Sequence, residues 1–207
     1  GGYDVTVQTT ISAWTNDNSS HEFVAKEYVV VNVKTPGTLG ETLTSAGKNP
    51  DAIKYLKVLG TVNSDDFYFM RDNMSVLQGV NMQETKVVEG VIPEWAFSGL
   101  NYLSSFIFPD GNHDNQITSI QEGSFNGLML TGALSIPEGV ISIGEGAFAG
   151  TRITQLSLPE SLLTIGNSAF SDCSLIVGEL SIPTHLRKIG NGAFYGCSGI
   201  SGSLVFP

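Results

Sequence analysis

The sequence predicts an α/β solenoid, a stack of coils of 22 to 28 residues with a parallel sheet along one face. Three observations carry this. Between residues 132 and 197 one pattern is written three times, as GALSIPEGVISIGEGAFAGT, TQLSLPESLLTIGNSAFSDC and GELSIPTHLRKIGNGAFYGC. The copies keep phase: Pro137, Pro159 and Pro183 recur at intervals of 22 and 24 residues, and so do Phe148, Phe170 and Phe194. The phase extends backwards through Ile120 with Phe125 and Ile92 with Phe97, each Ile five residues before its Phe.

Each part of a coil follows from its letters. In Leu156-Ser157-Leu158 apolar residues alternate with serine, which puts both leucines on one face of a short strand. Pro159 has no N–H and ends the ladder. Ile165 and Phe170 return to the interior from the opposite wall, and Gly166 and its equivalents are expected to permit tight turns. One coil cannot cover its own apolar side, so burial comes from stacking on neighbours. We therefore expect Leu156, Leu158, Ile165 and Phe170 to be buried together in a right-handed array of about six to seven coils.

The N-terminal part reads differently. Residues 1–34 hold two β-rich runs, 5–11 and 27–33, around a polar loop at 15–20 flanked by Trp14, His21 and Phe23, and predict a small N-terminal β element. Thr35-Pro36-Gly37 separates it from a solenoid unit spanning 35–207. Thr38 and Glu41 have capping-box spacing, so a helical cap over 38–46, stopped by Gly47, is expected to close the open end of the stack. A strand over 55–59, a helix over 64–73 capped by Ser64, and a strand over 76–82 follow. Asp65 and Asp66 diverge around that helix, so they read as helix-start acids and not as an acid pair. Regular repeats begin at about residue 91. One carries an insertion: Phe106 to Ile120 is 14 residues where Leu134 to Ile143 is nine, and the excess falls in a loop at 109–116.

L-x-I-P, Ile-Gly and Ala-Phe followed by Cys or Thr, recurring in phase, resemble the BspA-like leucine-rich repeats of bacterial surface proteins. The likeness covers residues 91–207 and extends in weaker form back to about residue 35. It implies a leucine-rich repeat array in a secreted or outer-surface adhesion or host-interaction protein without catalytic residues. It supplies no ligand-contacting motif.

Composition agrees with an extracellular, turn-dense β protein: charged residues are 14% and glycines number 24. No apolar run is long enough to span a membrane. Net charge is −10 and unevenly placed: residues 88–150 contain no Lys or Arg but seven acids, Glu89, Glu94, Asp110, Asp114, Glu122, Glu138 and Glu145. Such a surface repels phosphate backbones and anionic lipids, so no nucleic-acid partner is expected. A basic protein or a divalent cation suits it, as does a plain solvated face that aids solubility. Cys173 and Cys197 each follow their repeat Phe by three residues, in a slot held by Leu100, Leu128 and Thr151 elsewhere, and are expected to be buried thiols.

Asp110, Asn112 and Asp114 open like a calcium loop, but Asn115 and Gln121 stand where glycine and glutamate belong, and a polar turn is the competing reading. His21, His113 and His185 are scattered, no nucleophile elbow is present, and no catalytic residue or cofactor is assigned. The outer sheet face should carry Ile107, Ser135, Ser157, Ser181 and Val205, preceded by Ser105, Ala133, Gln155, Glu179 and Ser203. It shows no row of Trp, Tyr or Arg. The candidate binding residues are Ser135, Ser157, Ser181, Gln155 and Glu179 on that face, with Asp110, Asp114, Glu138 and Glu145 at its acidic edge. The expectation is a non-catalytic, exported adhesion protein for an extracellular-matrix or bacterial-surface protein. A structural stalk and a carbohydrate-binding module are the alternatives. Leu204-Val205-Phe206-Pro207 begins a strand without the rest of its coil, so the C-terminal end reads as uncapped. The chain is expected to continue past Pro207 or to associate end to end there.

Overall fold

The computed structural model describes residues 4–12, 24–111 and 116–201. The expectations placed on Trp14, the loop at 15–20, His21, Phe23, Asn112, His113, Asp114, Ser203 and residues 204–207 lie outside the described residues.

Two β-rich runs at the N-terminus pair as an antiparallel hairpin, β1 (Val5–Ser12) with β2 (Val24–Val33), Val5 opposite Val31. The hairpin is one end of a longer sheet. β2 runs parallel to β3 (Tyr55–Val62), which pairs with β4 (Gly79–Asn81) and then, further along, with β5 (Thr85–Val87). The period-2 alternation decides the faces: Val31, Val33, Leu56 and Val58 point inward and are buried, while Tyr28, Tyr55 and Lys57 take the outer face. The strand expected over 76–82 is shorter, because Leu77 N–H closes a turn on the Met74 carbonyl and Gln78 and Gly79 N–H both turn to Lys54.

Between β2 and β4 the second wall is helical. α1 (Leu39–Ser45) buries Leu39 and Leu43, and α2 (Ser64–Asn73) buries Phe67 and Met70. Neither cap is the one expected. The Thr38 hydroxyl donates to the Thr35 carbonyl and caps nothing. Asn63, not Ser64, caps α2, closing a capping box with Asp66. Asp66, read from the sequence only as a helix-start acid, is buried. Its carboxylate accepts N–H donors from Gly37 (2.7 Å), Leu39 (2.9 Å) and Asn63 (3.0 Å) and so supplies the cap of α1 from α2. One carboxylate thus closes the start of its own helix and supplies acceptors for donors at the start of α1 that α1 does not satisfy itself.

Beyond β5 each coil alternates a strand on the sheet side with a two-residue strand on the opposite wall. In chain order these are β6 (Val91–Ile92), β7 (Ser105–Ile107), β8 (Ser119–Ile120), β9 (Thr131–Ser135), β10 (Ser142–Ile143), β11 (Arg152–Ser157), β12 (Thr164–Ile165), β13 (Val177–Glu179), β14 (Lys188–Ile189) and β15 (Gly199–Ser201). β6, β8, β10, β12 and β14 form one five-stranded parallel sheet with isoleucine over isoleucine. Inside it the phenylalanines stack face to face: Phe125–Phe148, Phe148–Phe170 and Phe170–Phe194 lie 5.0, 5.3 and 5.4 Å apart with rings within 3° of parallel. Phe97 continues the spine, and Phe67 of α2 joins it edge-on at 5.7 Å. This is an α/β solenoid whose core runs unbroken from α1 to the last described coil.

Two expectations about the coil need correction. Leu156 and Leu158 are half-buried, packed against the core of which Ile165 and Phe170 are part. Gly144, Gly166 and Gly190 are not needed for a left-handed turn. A Cβ on Gly166 would stand 2.5 Å from the backbone of Gly144 and Glu145, and the other two meet the preceding coil as closely. The Ile-Gly signature is a contact between coils, where backbone approaches backbone.

Candidate functional site

Stacking places the same slot of each coil in a row, so the surface is best followed row by row. On the sheet side Gly79 pairs with Ser105 and Asn81 with Ile107. Further on Ser135 pairs with Ser157, and Ser181, expected in mid-strand, lies just past β13 outside any strand; all three are exposed, with Ala133, Gln155 and Glu179 exposed as well and Ser105 half-buried. These exposed side chains are mostly small, with Ile107, Gln155 and Glu179 the larger ones.

The sheet is not continuous beneath them. β9 pairs with β11 and β13 with β15, but β11 and β13 form no ladder. In the coil entering β13 the Leu stands ten positions after its Phe, Phe170 to Leu180, against eight in the coil before it, Phe148 to Leu156. A shallow groove of about 320 Å³ opens at the gap, lined among others by Ser135, Ser157, Ile176, Val177 and Glu179.

The acids divide between rows. Glu138 follows the repeat proline and accepts the Glu160 N–H (3.3 Å); Glu160 in turn accepts the N–H (3.2 Å) and hydroxyl (3.0 Å) of Thr184. Asp110 is exposed at the start of the insertion, and Gly111 comes up beside the Glu138 carbonyl. Glu145 belongs to another row, that of Glu94 and Glu122, each two residues past its Ile. Trp95 N–H donates to the Glu122 carbonyl (2.8 Å) and Gly123 N–H to that of Glu145 (2.9 Å), which keeps the row in register. The Glu145 carboxylate also accepts from the Asn167 amide at 3.1 Å. Among the described residues no group of three or more His, Cys, Asp or Glu side chains can hold a metal ion.

Sequence reasoning missed two aromatic sites. Tyr28 and Tyr55 stand side by side on the outer sheet face, ring centroids 5.6 Å apart, with the Lys26 ammonium 5.3 Å over Tyr55 and the Tyr55 hydroxyl donating to Gln78. Burial, and then the neighbouring Tyr55, push the Tyr28 hydroxyl above its usual range. The strand alternation of Tyr55-Leu56-Lys57-Val58 was the available signal.

The second is Trp95. The slot two residues before the spine Phe is left-handed in every regular coil: Trp95 (φ 53°), Gly123 (58°), Gly146 (56°), Ser168 (49°) and Gly192 (62°). Glycine does this freely, whereas a tryptophan held there costs on the order of 1–2 kcal/mol. Its ring lies on Gly123, where any Cβ would fall 2.3 Å from it, and the residue is still 40% exposed. Arg71 of α2 reaches the Trp95 carbonyl (3.5 Å) with its guanidinium 4.6 Å over the Tyr68 ring. The misfit is legible in the sequence, since tryptophan fills a slot that is mostly glycine.

Cys173 and Cys197 are free, buried thiols that donate to the carbonyls of Phe148 (3.2 Å) and Phe170 (3.0 Å), one coil back in each case. Thr151 holds the same slot one coil earlier. The hydrogen bond shared with Cys173, and burial, push the Cys197 thiol up.

Residues 90–207 match the family described as BspA type leucine rich repeat region, in six copies. No curated protein matches the chain. Among solved structures it is similar to a leucine-rich repeat protein from Bacteroides ovatus, at 17% identity over 95% of this chain and 44% of that one, with a TM-score of 0.48. A leucine rich cell surface protein from Faecalibacterium prausnitzii is 19% identical over 85% of this chain and 43% of that one, with a TM-score of 0.47. The chain thus spans less than half the length of either.

Proposed function

The chain belongs to the BspA-type leucine-rich repeat family, and from that premise we propose that it is an exported, non-catalytic interaction protein that binds a protein on a host or bacterial surface through its repeats. The observation that carries the reading is the array itself. It presents the same outward slots coil after coil over a packed core, a form suited to contact with a macromolecule. In this reading the outer sheet face around Ser135, Gln155, Ser157, Glu179 and Ser181 is the contact surface, and the acids Asp110, Asp114, Glu138 and Glu145 contribute negative charge, Glu145 from the separate row of Glu94 and Glu122. The family supports a location at the cell surface. No helix among the described residues is long and apolar enough to cross a membrane. In this reading a β element over 1–34, whose β2 continues the solenoid's sheet, is followed by the solenoid over 35–207. The Tyr28–Tyr55 pair favours a second reading, in which part of the face holds a glycan against two aromatic rings.

Retention of extracellular-matrix proteins and of bacterial cells on the immobilised chain tests the proposal. Wild type is expected to retain a protein partner, and Asp110→Asn/Asp114→Asn/Glu138→Gln/Glu145→Gln to retain less. Equal retention removes the acidic edge as the site. No protein retained, together with turnover of a glycan or a peptide, overturns the reading.

A further inference from the structure

We infer that Trp95 and the wall around it form a docking site for a cationic polypeptide segment, one that presents Lys or Arg. The inference rests on the reading above that the repeats bind a protein, and it adds a contact of stated chemistry on the wall of β6, β8 and β10, apart from the outer sheet face.

The aromatic surface comes first. Trp95 lies with its ring on Gly123, which has no side chain to lift it, and it remains 40% exposed. Of the aromatic side chains, tryptophan attracts a cation over its face most strongly. The same wall already shows that geometry within the chain, where the Arg71 guanidinium sits 4.6 Å over Tyr68. Arg71 does not repel a cationic partner strongly, because Asp72 holds it at 2.7 and 3.0 Å. Trp, Tyr and Arg grouped on one surface is the composition of an interface anchor.

Charge complementarity then selects the occupant. Glu94 precedes Trp95 on its own coil, and Glu122 and Glu145 take the same slot on the next two, all three exposed. No Lys or Arg lies anywhere in residues 88–150 to offset them. A partner side chain that places its aliphatic stem on the indole and its charge toward this row gains from both. A phosphate backbone or an acidic peptide is repelled by the same row.

The test uses a short labelled peptide of alternating arginine and glycine, with a glutamine-glycine peptide as control, titrated into the full chain. Anisotropy and tryptophan emission are the readouts. Wild type is expected to bind the arginine peptide at least about tenfold more tightly than the control. Trp95→Gly is expected to lose about tenfold or more in affinity while the unfolding midpoint holds or rises, since glycine adopts this backbone freely. Glu94→Gln/Glu122→Gln is expected to weaken binding and flatten its salt dependence. Equal affinity of wild type and folded Trp95→Gly overturns the inference, as does failure of wild type to prefer the arginine peptide. A neutral glycan that perturbs Trp95 emission where the peptide does not assigns the site to sugars and overturns it too. If a protein partner is retained on the immobilised chain but Trp95→Gly leaves that retention unchanged, this inference fails and the broader reading stands. If nothing is retained, the broader reading fails, and the peptide titration still decides the site.

Discussion

The repeats and the N-terminal part solve one problem by two routes. In both, N–H groups at the start of one unit need an acceptor from a neighbouring one. Among the repeats the work is divided: Glu138, Glu145 and Glu160 are exposed, and each makes one or two bonds to the next coil. Between α1 and α2 it falls on one buried carboxylate, Asp66, with three N–H partners on two elements. The hydrophobic side shows the same contrast. Beyond Phe125 each coil adds an identical ring to a stack, whereas toward the N-terminus Phe67, Met70, Met74, Leu39 and Leu43 fill the space with dissimilar shapes. Repetition spreads stability over many equivalent positions, and a cap concentrates it in a few.

The largest effect expected from this contrast is in the spine. Phe170 is fully buried between Phe148 and Phe194, so Phe170→Ala should cost about 3–5 kcal/mol in denaturant unfolding. A loss below about 1 kcal/mol would break the claim that the stack is the core.

Asp66→Ala comes next. It leaves three backbone donors without their acceptor and is expected to cost roughly 3 kcal/mol, read as a lower unfolding midpoint with early loss of the α1 signal in hydrogen exchange. Neutralising Glu160 instead should change stability by no more than about 0.5 kcal/mol, because its partners are exposed. Equal costs for the two would erase the distinction between a concentrated and a distributed device.

The smallest difference separates the two helix starts. Asn63→Ala should cost about 1 kcal/mol, since its side chain accepts from Asp65 and Asp66 N–H. Thr38→Ala should cost less than about 0.5 kcal/mol, as its hydroxyl caps no helix N–H. Thermal melts of the two variants side by side check it.

What could be read beforehand follows the same line. Ile143, Ile165, Phe148 and Phe170 were legible because each slot recurs at one spacing, and periodicity reports burial directly. The Thr38 cap was misread because spacing alone does not reveal a competing acceptor, and Asp66 is 27 residues from Leu39 in the chain. Gly166 was legible as necessary but not for its reason, since the constraint comes from the preceding coil and not from its own backbone angles. On the candidate surface, Ser135 and Ser157 were placed correctly by alternation. Glu138 and Glu145 fell into separate rows because rows depend on the position within a coil, which a count of acids does not weigh.

The central claim is that the repeat surface, and not the N-terminal end, engages the partner. The direct measurement is partner retention by two variants that keep the wild-type unfolding midpoint. One carries Ser135→Arg/Ser157→Arg on the outer sheet face, and the other carries Glu41→Arg/Thr44→Arg on the exposed side of α1. The account predicts that the first loses retention and the second keeps it. Loss in the second with retention by the first would contradict it.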